Sequence, residues 1–306
     1  MEVIKPTTID LASTNVADTG YSEYNSGTAY SANAYVKVTF ESDGTTPIFP
    51  HKIFKALRST TGDYPPDNPL DWLDQGGTNR HKMFDSFVSS QTENATSIDI
   101  VLNVSKVDRV CFLGLEADEV EIVVKDSGGS TIETITEDLT ITSSGSYSEY
   151  FYGETEYKDT LIVPIAGYYL NMTLEVTITS VSTAKCGHLV VGRHSKIGLT
   201  EYGVSAGISD YSTKTTNDFG ETEFVERAYA KTLDIDIMID HSIDATAYDR
   251  AHRILSSLRA TPAIWNANND VSSRDNFVVY GYYKSFDLVA NYATLSQCNL
   301  EIEGLI

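Results

Sequence analysis

The side chains with most to offer a ligand are aromatic: 19 tyrosines, 11 phenylalanines and 2 tryptophans. Near the N-terminus Tyr21, Tyr24, Tyr30 and Tyr35 precede Phe49, Phe54, Tyr64 and Trp72. A ring on a small β-module can stack on the apolar face of a sugar and leave the sugar hydroxyls to nearby polar groups. Tyr24, Tyr30, Tyr64 and Trp72 are therefore the candidate carbohydrate-binding residues. The competing reading is a mini-core of rings in a segment with few aliphatic residues, and Trp72 fits it best.

Carboxylates are the second resource. Glu116, Asp118, Glu119 and Glu121 supply the hard oxygens that calcium takes, but no spaced DxDxDG loop holds them, and a solvated acidic face is the default reading. A glycosidase pair cannot be singled out where acids are this abundant. Asp234, Asp236 and Asp240 share one face of a strand and are candidate channel-facing acids. Cys186, His188 and His194 fall within nine residues without an evident fourth zinc ligand. Cys186 and His188 are expected to be structural, and His241 and His252 have no obvious partner. No metal ligands are assigned, and calcium is the one cofactor considered. The chain has no G-x-S-x-G, P-loop, G-x-G-x-x-G or HExxH string. The reading is of a non-enzymatic protein.

The elements that must carry these residues are mostly strands. Ile98–Leu102, Val107–Leu115, Val120–Val124, Thr160–Ile165 and Leu174–Val181 alternate or run apolar over strand lengths. Thr222–Asp240 alternates for longer. Val225, Tyr229, Leu233, Ile235, Ile237 and Ile239 lie on one face, and Glu226, Thr232 and the three aspartates on the other. Asp244–Ala260 reads as the one helix, with Tyr248, Ala251, Ile254, Leu255 and Leu258 as its apolar stripe, Asp244 as N-cap and Pro262 as its stop. Strands Phe277–Leu288 and Leu295–Ile302 follow. Ser127–Ser130 and Ser143–Ser146 read as turns.

Three textures divide the chain: a small β-module at 1–80, a β-sandwich or jelly roll at 81–185, and a two-sheet domain with one helix at 186–306. The expected fold class is mostly β. The chain has 306 residues, 43 acids against 22 bases, and a net charge of −21. Asp108–Asp159 alone holds 13 acids and 3 bases. Such a chain is repelled by nucleic acid and by anionic membrane surfaces, so neither stable nucleic-acid binding nor membrane insertion is expected. The N-terminus does not read as a signal peptide, and three scattered cysteines argue against a disulfide framework.

Several strings resemble known modules. Tyr24-x5-Tyr30-x5-Val36, Phe54-Lys55-Ala56-Leu57, Gly62-Asp63-Tyr64-Pro65-Pro66 and Asp71-Trp72-Leu73-Asp74-Gln75-Gly76 resemble small chitin-binding-type modules, with Tyr24 where those carry a first tryptophan. Gly77–Asp85 followed by Gln91-Thr92 looks like the junction that precedes a galactose-binding-like sandwich in tail proteins of phages and prophages. Gly207–Ser212, Asp218-Phe219-Gly220, Phe224–Ala228, Leu258–Ala263 and Cys298–Leu305 resemble the same group. The resemblance implies a structural protein of a bacteriophage tail tip or baseplate with a distal-tail-like assembly domain. It implies virion localisation after synthesis in the host cytoplasm, a ring of copies around the tail axis, tail-tube and tail-hub partners, and carbohydrate-binding-like modules that contact either a host-surface glycan or other tail proteins. The rival expectations are a carbohydrate-binding adhesin and a tail-borne polysaccharide depolymerase.

Overall fold

A computed structural model describes residues 1–18, 20–87, 89–141, 156–165, 170–216, 219–242, 244–268, 275–290, 292 and 294–305. The fold is mostly β, as expected, with one α-helix among these residues. The expected turn at Ser143–Ser146 lies outside them, as does Asp218. No helix of the described residues is long and apolar enough to cross a membrane.

The organising element is the 25-residue strand Met172–Lys196. Its first part pairs with Glu119–Lys125 on one side and with Thr92–Val104 on the other. The register shifts between Thr179 and Thr183, and the strand then pairs with Arg109–Glu116. Alternation puts Leu174, Val176 and Ile178 into the sandwich core beside Ile98, Ile100, Ile122 and Phe112. Past Val191 the same strand leaves the sandwich and pairs with Glu2–Pro6. Glu2–Pro6 pairs on its other edge with Ala263–Asn266, and the sheet continues through Val278–Val289, Leu295–Gly304 and Tyr229–Asp240. At Gly192 a Cβ would meet the Lys5 carbonyl oxygen at 2.3 Å, so this close approach admits only glycine.

These pairings cut across the boundaries expected at 80 and 185. Cys186 lies inside the long strand, and Glu2–Pro6 and Asp10–Thr14 pair with strands of the other two segments. The small module proper is the sheet of Tyr35–Phe40, Pro47–Ala56 and Trp72–Gly77, with the short pair Ala29–Tyr30 and Thr60–Thr61.

The expected strand over Thr222–Asp240 is broken. Thr222–Val225 pairs with Thr213–Thr216, and a separate strand, Tyr229–Asp240, pairs with Ser205–Asp210 and Leu295–Gly304. Val225 and Tyr229 are exposed; Leu233, Ile235, Ile237 and Ile239 are buried. The helix spans Ala247–Ser257, shorter at both ends than expected. Asp244 stands before it rather than capping it. Its Oδ1 accepts hydrogen bonds from Thr246 N and Oγ1, and its Oδ2 one from Arg250. Ala247, Ala251, Leu255 and Leu258 cover the core residues Ile235, Ile237, Trp265, Leu300 and Ile302.

Candidate functional site

The four expected sugar-binding rings are assembled, but against one another. Tyr24 lies 5.7 Å from Tyr30, 5.9 Å from Tyr64 and 6.1 Å from Trp72 between ring centroids, and Tyr30 meets Trp72 edge-on at 5.4 Å. Trp72 is 2% exposed, and its Nε1–H donates to the Asp63 carbonyl at 3.0 Å. Val36, Val38, Phe54 and Ala56 pack with it. This is the mini-core reading. Trp72 cannot serve as a sugar platform, because both its faces are already covered. The three tyrosines are half-buried, Tyr64 with its hydroxyl on the Phe40 carbonyl. Burial raises the Tyr64 phenol to about 12. The exposed rings of the module are elsewhere: Tyr21 and Tyr35 stack at 5.1 Å and 18°, with Lys55 Nζ 5.7 Å from the Tyr35 centroid.

The candidate channel acids sit where strand parity puts them, on the face away from the helix. Asp234 and Asp236 are exposed, and Asn299 Nδ2 donates to both, at 3.1 and 3.3 Å. Register adds neighbours that the sequence reading missed: Asn299 pairs with Asp287 on the adjoining strand, and Asp234 with Glu301. Lys284 reaches Glu301 and Glu303 at 3.4 and 3.2 Å. Asp240 ends the strand and turns to its own loop, accepting from Ser242 N at 2.7 Å and Oγ at 2.6 Å. Those bonds hold its carboxyl below the usual range. The strand's alternation was the visible signal; the neighbours became visible only with the pairing register.

The acids considered for calcium are dispersed. Glu116 pairs with Lys185 at 2.7 Å, Asp118 accepts from Val181 N at 2.6 Å, and Glu119 and Glu121 lie along the strand Glu119–Lys125. Cys186 and His188 are buried. His194 Nδ1 lies 2.6 Å from Asp108 Oδ2. His241, for which the sequence offered no partner, lies with Nε2 2.6 Å from Ser296 Oγ.

One cluster was not anticipated. Asp18, His51 and His81 offer ligand atoms that all lie within 4.8 Å of one another, the only such group of three among the described residues. The spacings, 33 residues between Asp18 and His51 and a further 30 to His81, carry no local signal. Asp18 follows the strand Asp10–Thr14, His51 sits on Pro47–Ala56, and His81 precedes a short 3-10 turn at Lys82–Phe84. His51 Nδ1 is 2.7 Å from Asp18 Oδ2, while Asp18 Oδ1 is buried without a hydrogen-bond partner. Burial opposes ionisation of Asp18, but hydrogen bonds from Thr78 and His51 and the charges of His51 and Lys37 outweigh it and hold the carboxyl below its ordinary value. Burial, reinforced by His51, lowers His81 to about 3, so its imidazole is neutral at pH 7.

No family model matches the chain, and no curated protein sequence does either.

Proposed function

We propose that the chain is a structural component of a bacteriophage tail tip or baseplate that assembles as a ring around the tail axis. The observation that carries this reading is the asymmetry of the C-terminal sheet. One face of Tyr229–Asp240 and Leu295–Gly304 is sealed by the helix, and the other is solvent-exposed and lined by Asp234, Asp236, Asp287 and Glu301. A wall of this kind around a channel repels phosphates and lets DNA pass without sticking.

Contacts between copies have a surface to use. The ribbon formed by Ser205–Asp210, Thr213–Thr216 and Thr222–Val225 exposes Ile208, Phe224 and Val225. Exposed apolar residues grouped on one projection mark interaction surfaces. Tail-tube and tail-hub proteins are the further partners, and the role is mechanical rather than catalytic. On the small module, the stacked Tyr21–Tyr35 pair takes the place of the four rings packed against one another as the surface for a host glycan. Repetition around the ring makes a weak single-site affinity effective.

The test is to find the chain in purified particles by mass spectrometry and to locate it by cryo-electron microscopy. The proposal expects a ring with Asp234 and Asp236 toward the lumen. Absence from particles, or a ring with these residues on its outside, refutes it.

A further inference from the structure

We propose that Asp18, His51 and His81 form a binding site for a divalent transition metal, zinc in the first instance, that clamps the small module to the sandwich. The site is separate from the assembly surfaces, and the proposal does not depend on them.

The donor set selects the ion. Two imidazoles and one carboxylate suit zinc, cobalt or nickel, whereas calcium and magnesium prefer oxygen alone. The clamp has room to close: ligands of a tetrahedral zinc stand about 3.3 Å apart, and the three donors already lie within 4.8 Å. The backbone beneath them is pinned. Thr78 N donates to the His51 carbonyl at 3.0 Å, and His81 N donates to the Thr78 carbonyl at 2.7 Å. A Cβ on Gly77 would stand 2.9 Å from the His81 carbonyl carbon, so the strand end and the His81 turn are in close contact.

An outer layer orients the donors, as metal-bound histidines require. Thr78 Oγ1 lies 3.0 Å from His81 Nδ1, which leaves His81 Nε2 available. Phe49 meets the His81 ring edge-on at 5.4 Å and shields it from water. The His51 and His81 ring centroids are 4.1 Å apart, close enough for both imidazoles to reach one cation. Lys37 Nζ approaches Asp18 Oδ2 at 3.7 Å, leaving Oδ1, the oxygen with no hydrogen-bond partner, to turn toward the metal. Binding replaces the contact between His51 Nδ1 and Asp18 Oδ2 with the ion, and His51 ligates as the neutral imidazole with its one proton on Nε2. Water takes the fourth position.

The geometry also gives the ion its purpose. Asp18 lies where the chain leaves the sandwich strand Asp10–Thr14, and His81 where it returns after Trp72–Gly77. His51 belongs to the module's central strand. One ion therefore ties both connections to the module between them.

Zinc titration of the chelator-treated full chain by calorimetry tests the inference. The expected result is one saturable equivalent, with affinity at least tenfold weaker in His51→Ala and unchanged in His252→Ala on the exposed side of the helix. Zinc raises the melting temperature of the wild type and not of His51→Ala. Ring nitrogen NMR of the wild-type chain provides a readout that needs no variant: zinc shifts His51 and His81 and leaves the other histidines in place. The inference is overturned by no saturable binding of zinc, cobalt or nickel, by unaltered affinity in His51→Ala, or by shifts confined to other histidines.

Discussion

Trp72 shows how neighbours decide what a side chain can do. With Tyr30 and Tyr24 edge-on to it and its indole N–H on the Asp63 carbonyl, it holds the module together from inside. Trp72→Ala is expected to cost about 3–5 kcal/mol, read as loss of the module's cooperative unfolding in urea. Tyr35→Ala removes an exposed ring and is expected to change stability by about 0.5 kcal/mol or less, while abolishing any signal on a glycan array. Sugar binding that survives Tyr35→Ala in a folded protein removes that surface from the account. His188 gives the pH dependence. It is 3% exposed, packs against the Tyr280 ring at 4.6 Å, and burial lowers it to about 4. The folded state keeps it neutral while the unfolded chain protonates near 6.5. Its contribution is therefore intact above pH 6.5 and is lost as pH falls toward 4. Between pH 7 and pH 5 the loss is about 2 kcal/mol, measurable as a drop in the urea midpoint that His188→Phe reduces.

Elements were legible wherever a local period specified them. The sandwich strands Thr92–Val104 and Glu119–Lys125 and the last two strands of the chain include the segments where alternation put them, because one face of each is buried and the other is more exposed, whereas the expected strand Leu174–Val181 runs on to Lys196 and Arg109–Glu116 is buried on both faces. The break at 226–228 was overlooked. The polar–apolar rhythm lapses there, with Arg227 on the apolar parity and Ala228 on the polar one, and the change of partner, from Thr213–Thr216 to Ser205–Asp210, ends one strand and begins the next. The helix stripe was readable, but its first turn was not, since Asp244 spends its carboxylate on Thr246 and Arg250. Leu255→Ala, at a fully buried position on the stripe, should destabilise by about 2–5 kcal/mol, seen as a lower thermal midpoint. Ile208→Ser with Phe224→Ser on the exposed ribbon should leave that midpoint within a few degrees and weaken self-association at least tenfold by analytical ultracentrifugation. Unchanged association would remove the ribbon from the interface.

At the scale of the whole molecule, sequence position and spatial position part company. The first strand sits in the middle of the large sheet, between Met172–Lys196 and Ala263–Asn266. Pairings across nearly two hundred residues leave no local mark, which is why the boundary drawn by texture at 185 cuts through a strand and the one at 80 separates Glu2–Pro6 and Asp10–Thr14 from the strands they pair with. The Asp18–His51–His81 cluster was hidden for the same reason. The charge of −21 could be mapped more closely. Among the described residues, Glu119, Glu121, Glu133, Glu137 and Asp138 are spread along the paired strands Glu119–Lys125 and Thr131–Asp138, while the acids Asp234, Asp236, Asp287 and Glu301 of the C-terminal sheet gather opposite the helix. An acidic inner wall has meaning only if copies close around an axis. Mass photometry of the purified chain tests that most directly. The account predicts a closed species of three or six times the 33.7 kDa chain mass. A particle that remains at the mass of one chain across the accessible concentrations contradicts it.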